Sequence, residues 1–439
     1  MKFADHRRNR AKRELYMTTT TPINSARLLE RFLRYVQIDT TANADSSEYP
    51  SSPGQITLGK MLAEELRGMG ASEVEQDAYG LVWGTIPANV PHGTNHSVPT
   101  VLFNAHLDTS PEAVGHGVRP QVIRAYAGGD IALPCDGRVI TVADCPALQD
   151  MLGHCLITSD GSTLLGGDDK AGVAAIMELA QHLLEHPHLP HGEVRVLFTC
   201  DEEIGRGAQH MNLERANALV GYTLDGGGQG KVEAENFSAD QLLVRALGNN
   251  IHPSLGKGRM VNALRGISML LAELPVQQLA PESTEGREGF LHPYDVRGGV
   301  QMAEARILLR DFDTSRLDDY ERMVRSTSEA IAAKLPGLEF QIERQRQYRN
   351  MADAIQKMPQ VVEFATLAWE HLSGDFHIGS IRGGTDGAQF SEMGLPTPNL
   401  SVGQHNIHSV REFASLDQMV AAVRHAIKLL ELWQAHGVS

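Results

Sequence analysis

Two adjacent carboxylates lie where a pair of glycines meets a helical repeat. Leu164 to Gly172 reads LLGGDDKAG, and Val173, Ile176, Met177, Ala180, Leu183 and Leu184 then recur at helical spacing until Pro187. Aspartates at a helix N-terminus are ordinary caps, and alone Asp168 and Asp169 would mean no more than that. Their weight comes from their neighbours. Val101 to Ala105 reads as a short buried strand ending in His106-Leu107-Asp108-Thr109, and Val194 to Thr199 as another ending in Cys200-Asp201-Glu202-Glu203. A third apolar stretch, Leu219 to Leu224, runs into Asp225. Strand-like runs that each stop at imidazole or carboxylate side chains are how an open α/β sheet assembles one site from several strand ends.

The candidates are then His106, Asp108, Asp168, Asp169, Glu202, Glu203, Asp225 and, near the C-terminus, His408. Imidazole and carboxylate without thiolate suit a catalytic zinc, or manganese or cobalt, better than a structural thiolate site. Two metals explain the surplus of donors, since such a pair shares a carboxylate and a water acidified enough to act as hydroxide near neutral pH. Successive side chains at a strand end point different ways, so Glu202 and Glu203 divide the labour: one ligates and the other serves as base. Singly, each residue has an ordinary explanation as a surface turn or a hydrogen-bonded loop histidine; the joint pattern carries the metal reading.

The elements that must position these groups fit a chain of 439 residues, long enough for two domains, with 42% hydrophobic and 21% charged residues. A formal net charge of −15 argues against nucleic acid as the main partner. No apolar run reaches the roughly eighteen residues needed to cross a bilayer. The basic segment Met1 to about Thr20 lacks an apolar stretch behind it, so it reads as a flexible extension, with Met17 as an alternative start, rather than a secretory signal. Cys135, Cys145, Cys155 and Cys200 match neither a disulfide framework nor a zinc finger, which suits a reducing cytoplasm. Cys200 has no matched base and reads as a small buried hydrophobe.

Asn24 or Ser25 caps a first helix carrying Leu28, Leu29, Phe32, Leu33 and Val36. Thr40 to Gly54 reads as a loop, Leu58 to Met69 as a helix stopped by Gly70, and Gly80 to Ile86 as a strand. From Gln241 to Ile342 the order is strand, helix, strand, strand, helix, strand, with Pro275 to Pro293 a loop; this is the split βαβ arrangement of a ferredoxin-like sandwich. Signals of the first kind resume afterwards, so this piece is an insertion. A last helix opens with Ser415 and Gln418 at capping-box spacing.

The motifs HLDT at 106–109, GGDDKAG at 166–172, DEEIGRGA at 201–208, LDGGG at 224–228, GNNIHP at 248–253, RDFD at 310–313 and IRGGTDGAQF at 381–390 occur in that order. Together they resemble the tripeptide aminopeptidases of the M20 zinc metallopeptidase family, from about Leu28 to about Leu432. GGDIAL at 128–133 and STEGREGF at 283–290 resemble the tripeptidase branch in particular. The resemblance implies an α/β fold: a mixed-sheet catalytic domain over 21–235 and 350–439, with an inserted ferredoxin-like α+β lid over 236–349. It implies two Zn2+ per subunit, with Co2+ or Mn2+ as substitutes. His106 and Asp225 would hold one, Glu203 and His408 the other, and Asp168 would bridge. Glu202 falls on the general base and Asp108 on the residue that orients His106, while Asp169 and Lys170 become structural. The peptide bond after Asp168 is expected to be cis, as in relatives. For the substrate, the resemblance implies His252 at the scissile carbonyl, Arg310 and Arg382 at a carboxylate, and Asn262 nearby.

The implied partners are small peptides, with no nucleic acid and no membrane. Whether His252 completes its own site or that of a second subunit in a homodimer stays open, as does the part played by His405, an extra imidazole three residues before His408. The expected reaction is metal-assisted hydrolysis releasing the N-terminal residue of a tripeptide. A dipeptidase, carboxypeptidase or N-acyl amino acid hydrolase on the same scaffold would carry the same ligands, and a non-catalytic peptide-binding relative would have lost one of them.

Overall fold

The computed structural model describes residues 21–90, 97–135 and 137–437; the basic segment Met1 to Thr20 lies outside the described residues. The described chain divides into two compact units. One is built from the segments before Glu235 and after Asp353, apart from Ser380–Gly384, which belongs with Glu235–Asp353 in the second.

The first unit opens with helix α1 (Ser25–Tyr35), whose N-cap Asn24 accepts the amide of Arg27, and α2 (Pro53–Met69), which ends at Gly70 with φ 94°. The expected loop up to Gly54 stops earlier, because Pro53 takes the first helical position, where a missing N–H costs nothing. Strands β1 (Ser72–Gln76), β2 (Val82–Ile86) and β3 (Val101–His106) follow. The weakly patterned stretch beyond holds β4 (Gln121–Ile123), the hairpin of β5 (Ile131–Ala132) and β6 (Val139–Ile140), and β7 (Leu156–Thr158). Helix α3 (Gly167–Glu185), β8 (Val194–Thr199), β9 (Val220–Gly227) and β10 (Lys231–Asn236) complete the first pass.

The second unit holds β11 (Ser238–Leu247), α4 (Ala263–Glu273), β12 (Phe290–Gly298), β13 (Met302–Asp311), α5 (Arg316–Lys334) and β14 (Glu339–Tyr348). Its sheet order is β12-β13-β11-β14, all antiparallel, which is the ferredoxin-like order. Leu242, Val244 and Ala246 alternate onto one face and bury against Ile267 and Leu270 of α4 and Leu317, Val324 and Ile331 of α5. The expected loop ends before Pro293: that residue lies inside edge strand β12, at a bulge where its missing N–H is tolerated.

The chain returns through α6 (Gln360–Glu370), α7 (Asp386–Met393), β15 (Asn399–His405), β16 (Phe413–Ser415) and α8 (Leu416–His436). The large sheet runs β1-β2-β8-β3-β9-β15-β16-β7-β4. Its centre, β8-β3-β9-β15, is parallel, and its flanks are antiparallel. Every residue of β3 is buried, as expected for a parallel strand covered on both faces. Sequence periodicity promised one apolar face on α3; the structure buries it nearly all round, because it packs on β3, β9 and β15 and is covered by α8, α1 and α2. Its buried Glu178 is matched by Arg27 at 2.7 Å and Arg31 at 2.9 Å. Gly172 is what lets α3 approach β9, since a Cβ there would fall on the carbonyl of Leu224 and the carboxylate of Asp169.

Candidate metal centre

Parallel β8, β3, β9 and β15 bring their C-terminal ends to one rim, where His106 closes β3, Glu202 and Glu203 follow β8, Asp225 lies in β9 and His408 follows β15. Asp168 reaches the same rim from the start of α3. Its Oδ1 lies 2.9 Å from His106 Nε2 and its Oδ2 3.3 Å from His408 Nε2. Asp225 Oδ1 is 3.9 Å from His106 Nε2, and Glu203 Oε2 is 2.9 Å from His408 Nε2. Two imidazoles, each with its own carboxylate, thus share a third carboxylate through separate oxygens.

Backbone hydrogen bonds hold this arrangement. Asp108, fully buried, accepts the amide of Glu202 on Oδ1 and that of Glu203 on Oδ2, both at 3.0 Å. His106 Nδ1 lies 3.1 Å from the carbonyl of Asp108 and 3.4 Å from its carboxylate, so one residue orients the imidazole and the acidic pair together. Asp169 has both oxygens taken by amides, Oδ2 by His106 and Oδ1 by Gly172. It can be grouped with His106 and Asp225 on distance alone, but those two bonds give it a bracing role. Lys170 donates to the carbonyl of Ile38 at 2.7 Å. The Asp168–Asp169 peptide bond is cis.

The electrostatics follow from crowding acids in a buried rim. Burial, with Asp168 and Asp386 among the neighbours, drives the carboxyls of Asp225 and Glu202 well above their usual range. Burial and the neighbouring Asp168 push Glu203 up to about 7. Burial alone would raise Asp168 too, but the two imidazoles outweigh it and hold it below the ordinary range. Burial likewise opposes protonation of His408, yet Asp168 and Glu203 carry it up to about 11. Such a surplus of negative charge is what a bound cation neutralises.

The donor set fits divalent metal. A tetrahedral zinc with bonds of about 2.0–2.1 Å separates its ligand atoms by about 3.3 Å, and the inter-donor distances here run from 2.9 to 3.9 Å. Glu203 Oε1 is buried without a hydrogen-bond partner among the described residues, an acceptor lacking its donor beside this cluster. His106 with Asp168 and Glu203 could hold an ion on distance alone.

The rim also uses groups that sequence reasoning did not single out. Gln404 donates to the carbonyl and Oδ1 of Asp225 at 2.8 and 3.0 Å. Glu112 lies 3.2 Å from His408 Nδ1. Asp386 is buried, accepts the hydroxyl of Thr199 at 2.5 Å and is raised to about 6 by burial. Glu412 is buried and accepts three amides of the Asp168 loop. Asp386 falls inside the motif at 381–390 and Glu412 stands four residues past His408, which was the available signal.

His405 is drawn away from the ligands: its Nε2 meets Gln418 Oε1 at 2.7 Å and its ring stacks on Phe413. That contact also breaks the expected capping box, for Ser415 accepts the amide of Gln418 while the Gln418 side chain turns to His405. His252, Asn262, Arg310 and Arg382 all belong to the second unit. The side chain of Asn262 caps α4 by accepting the amide of Arg265, which gives it a structural role the sequence reading did not assign. His252 is exposed, with Nδ1 held by Ser254. Arg310 lies over the Tyr348 ring and donates to Gln347. Arg382 lies over Phe237 and Phe290 and donates to Thr284.

Comparison with known proteins agrees with this geometry. Residues 163–432 match the model of Peptidase family M20/M25/M40. A relative from Geobacillus sp. (strain WCH70), named Peptidase T, is 41% identical over 408 residues, which is 93% of this chain and 98% of the relative. Among solved structures, aminopeptidase PepT from Bacillus cereus superposes with a TM-score of 0.71 at 24% identity, covering 94% of this chain and 99% of that one. A tripeptidase from Staphylococcus aureus gives 0.73 at 22% identity over 95% and 100%. The fold is that of these structures, and the matched stretch carries Asp168, the acidic pair after β8, Asp225 and His408, so the chain belongs to the M20 family of peptidases.

Proposed function

We propose that the enzyme is a tripeptide aminopeptidase that removes the N-terminal residue with two divalent cations, zinc in the first instance and cobalt or manganese as substitutes. The observation that carries the reading is Asp168, which offers one oxygen to each of two imidazoles at 2.9 and 3.3 Å. Asp168 would bridge, His106 and Asp225 would hold one cation, and Glu203 and His408 the other. Bound there, such a pair supplies a Lewis acid for the scissile carbonyl and an acidified water.

The chain's own residues do the rest. Asp108 holds the backbone of the acidic pair, so Glu203 turns to His408 while the neighbouring carboxylate of Glu202 is left for proton transfer. Burial raises the proton affinity of Glu202, which suits a group that takes a proton from water and hands it to the leaving amine. Arg310 and Arg382 are the groups suited to the substrate carboxylate, and His252 to the developing oxyanion; Asn262 caps α4. The inserted second unit would act as the lid. Cys145, Cys155 and Cys200 are free thiols, in keeping with a cytoplasmic location, and no helix among the described residues is long and apolar enough to cross a membrane.

The test is a peptide panel with metal analysis. Ala-Ala-Ala should be cleaved in preference to Ala-Ala, Ala-Ala-Ala-Ala and N-acetylalanine, by protein that carries two equivalents of metal and loses turnover on chelation. Preference for the dipeptide or the N-acyl substrate, or undiminished turnover after chelation, would sink this reading.

A further inference from the structure

The carboxylate of Glu412 ties together two chain segments that meet only in the folded molecule. Its Oε2 accepts the amides of Leu165 and Gly166, both at 2.8 Å, and its Oε1 accepts the amide of Asp168 at 2.9 Å. The residue is 1% exposed, so these three bonds are made out of water, where an anion needs them most. They also answer a local need. Gly166 is the left-handed N-cap of α3, at φ 82° with no side chain to offer, so the first amides of the helix need an acceptor from elsewhere. Gly167 permits the approach, since a Cβ there would lie 3.1 Å from Glu412 Oε1.

The other end of the clamp is equally fixed. Glu412 stands four residues past His408, in a tight loop where Asn406 and His408 both take positive φ, 51° and 59°. Ser409 closes that loop by donating to the carbonyl of Asn406 at 2.7 Å and accepting, through its own carbonyl, the amide of Glu412 at 3.1 Å. Immediately after Glu412 the chain enters β16, which pairs with β15 and with β7. The loop bearing His408 and the loop bearing Asp168 are therefore joined through one carboxylate.

We propose that Glu412 is the positioning residue that sets the spacing of the Asp168 and His408 donors, and that metal uptake by the site depends on it. The proposal rests on the two-metal reading above. In E412Q one oxygen is replaced by an NH2 group facing an amide donor, so at least one of the three bonds is lost while size is kept. Displacing such a supporting contact typically weakens metal binding by about 10–100-fold.

The experiment uses the full-length protein, stripped with a chelator and titrated with Zn2+ and Co2+ against a chromophoric competitor. Thermal melting of the stripped protein and kinetics on Ala-Ala-Ala run in parallel. Metal affinity in E412Q should fall about 10–100-fold, the cobalt absorption bands should shift, and kcat should drop with little change in KM. If E412Q does not fold, Gly167→Ala decides by the same measurements, because its methyl presses on the same carboxylate. Wild-type affinity and an unshifted cobalt spectrum in whichever folded variant is read overturn the proposal, even if its melting temperature falls. Failure of the wild-type protein to take up two equivalents is a different outcome, and it removes the two-metal reading itself.

Discussion

Asp108→Asn is the perturbation whose effect follows most directly from the geometry. The carboxylate is fully buried and receives the amides of Glu202 and Glu203 at 3.0 Å each, one per oxygen. Asparagine keeps the shape but offers one oxygen, so one amide retains a weaker, neutral acceptor and the other faces an NH2 group. A hydrogen bond to a charged group contributes about 1.5–3 kcal/mol, and a buried donor left unsatisfied costs about 1–3 kcal/mol. Removing one negative charge from a cluster that already contains Asp168, Glu203 and Asp225 offsets part of this, leaving a net loss of about 3 kcal/mol. Because the two amides belong to the proposed base and a proposed ligand, that loss falls on the geometry of the reacting groups. Expressed in the transition state it amounts to roughly a hundredfold in kcat/KM. Steady-state kinetics on Ala-Ala-Ala at saturating metal, with urea unfolding as the control, measures both parts. Activity within threefold of wild type would refute the claim that Asp108 organises the pair.

Three further outcomes are expected. Glu202→Gln should keep both metals and lose about 10²–10⁴-fold in kcat, the contribution of a general base; near-wild-type turnover in the fully metal-loaded variant would remove Glu202 from that role. Arg382→Ala should raise KM for the tripeptide by about 10–100-fold, the worth of one charge-assisted contact, and equal KM in both proteins would free Arg382 from substrate binding. His425 is buried, donates from Nε2 to the carbonyl of Ala365 at 2.7 Å, and is lowered by burial to about 4. Its unfolded form takes up a proton near pH 6.5 while the folded form does not until about 4, so its stabilising share is whole above pH 6.5 and is lost as pH falls to 4. This amounts to about 3 kcal/mol. Urea titrations across that window should show the wild-type protein losing more stability than His425→Gln, and parallel slopes would count against the assignment.

Much of the centre could be read in the linear chain because each donor ends or begins a strongly patterned element. His106 closes an apolar run, Glu202 and Glu203 follow another, and Asp168 opens a helix, and those patterns depend only on the residues within a few positions. The inserted strand-helix-strand-strand-helix-strand order was equally legible, since both periods, 2 and 3.6, are local. Short polar elements were not: β1, whose sequence is SEVEQ, has no apolar alternation and exists because it pairs with β2.

What the chain alone could not state is how far-apart residues face one another. Two histidines stand three positions apart, His405 at the end of β15 and His408 beyond it, and nothing local chooses between them. Only folding brings Gln418 and Phe413 against His405 and leaves His408 to Asp168 and Glu203. Glu412 and Asp386 look like ordinary surface acids until their partners arrive, Asp168 from 244 residues away and Thr199 from 187. Residue type and spacing dictate which chemistry is available, because ligand softness and secondary-structure period are properties of the residues themselves. The match of one carboxylate to two imidazoles is a property of packing, since it depends on contacts between segments whose separation along the chain carries no information about their distance in space.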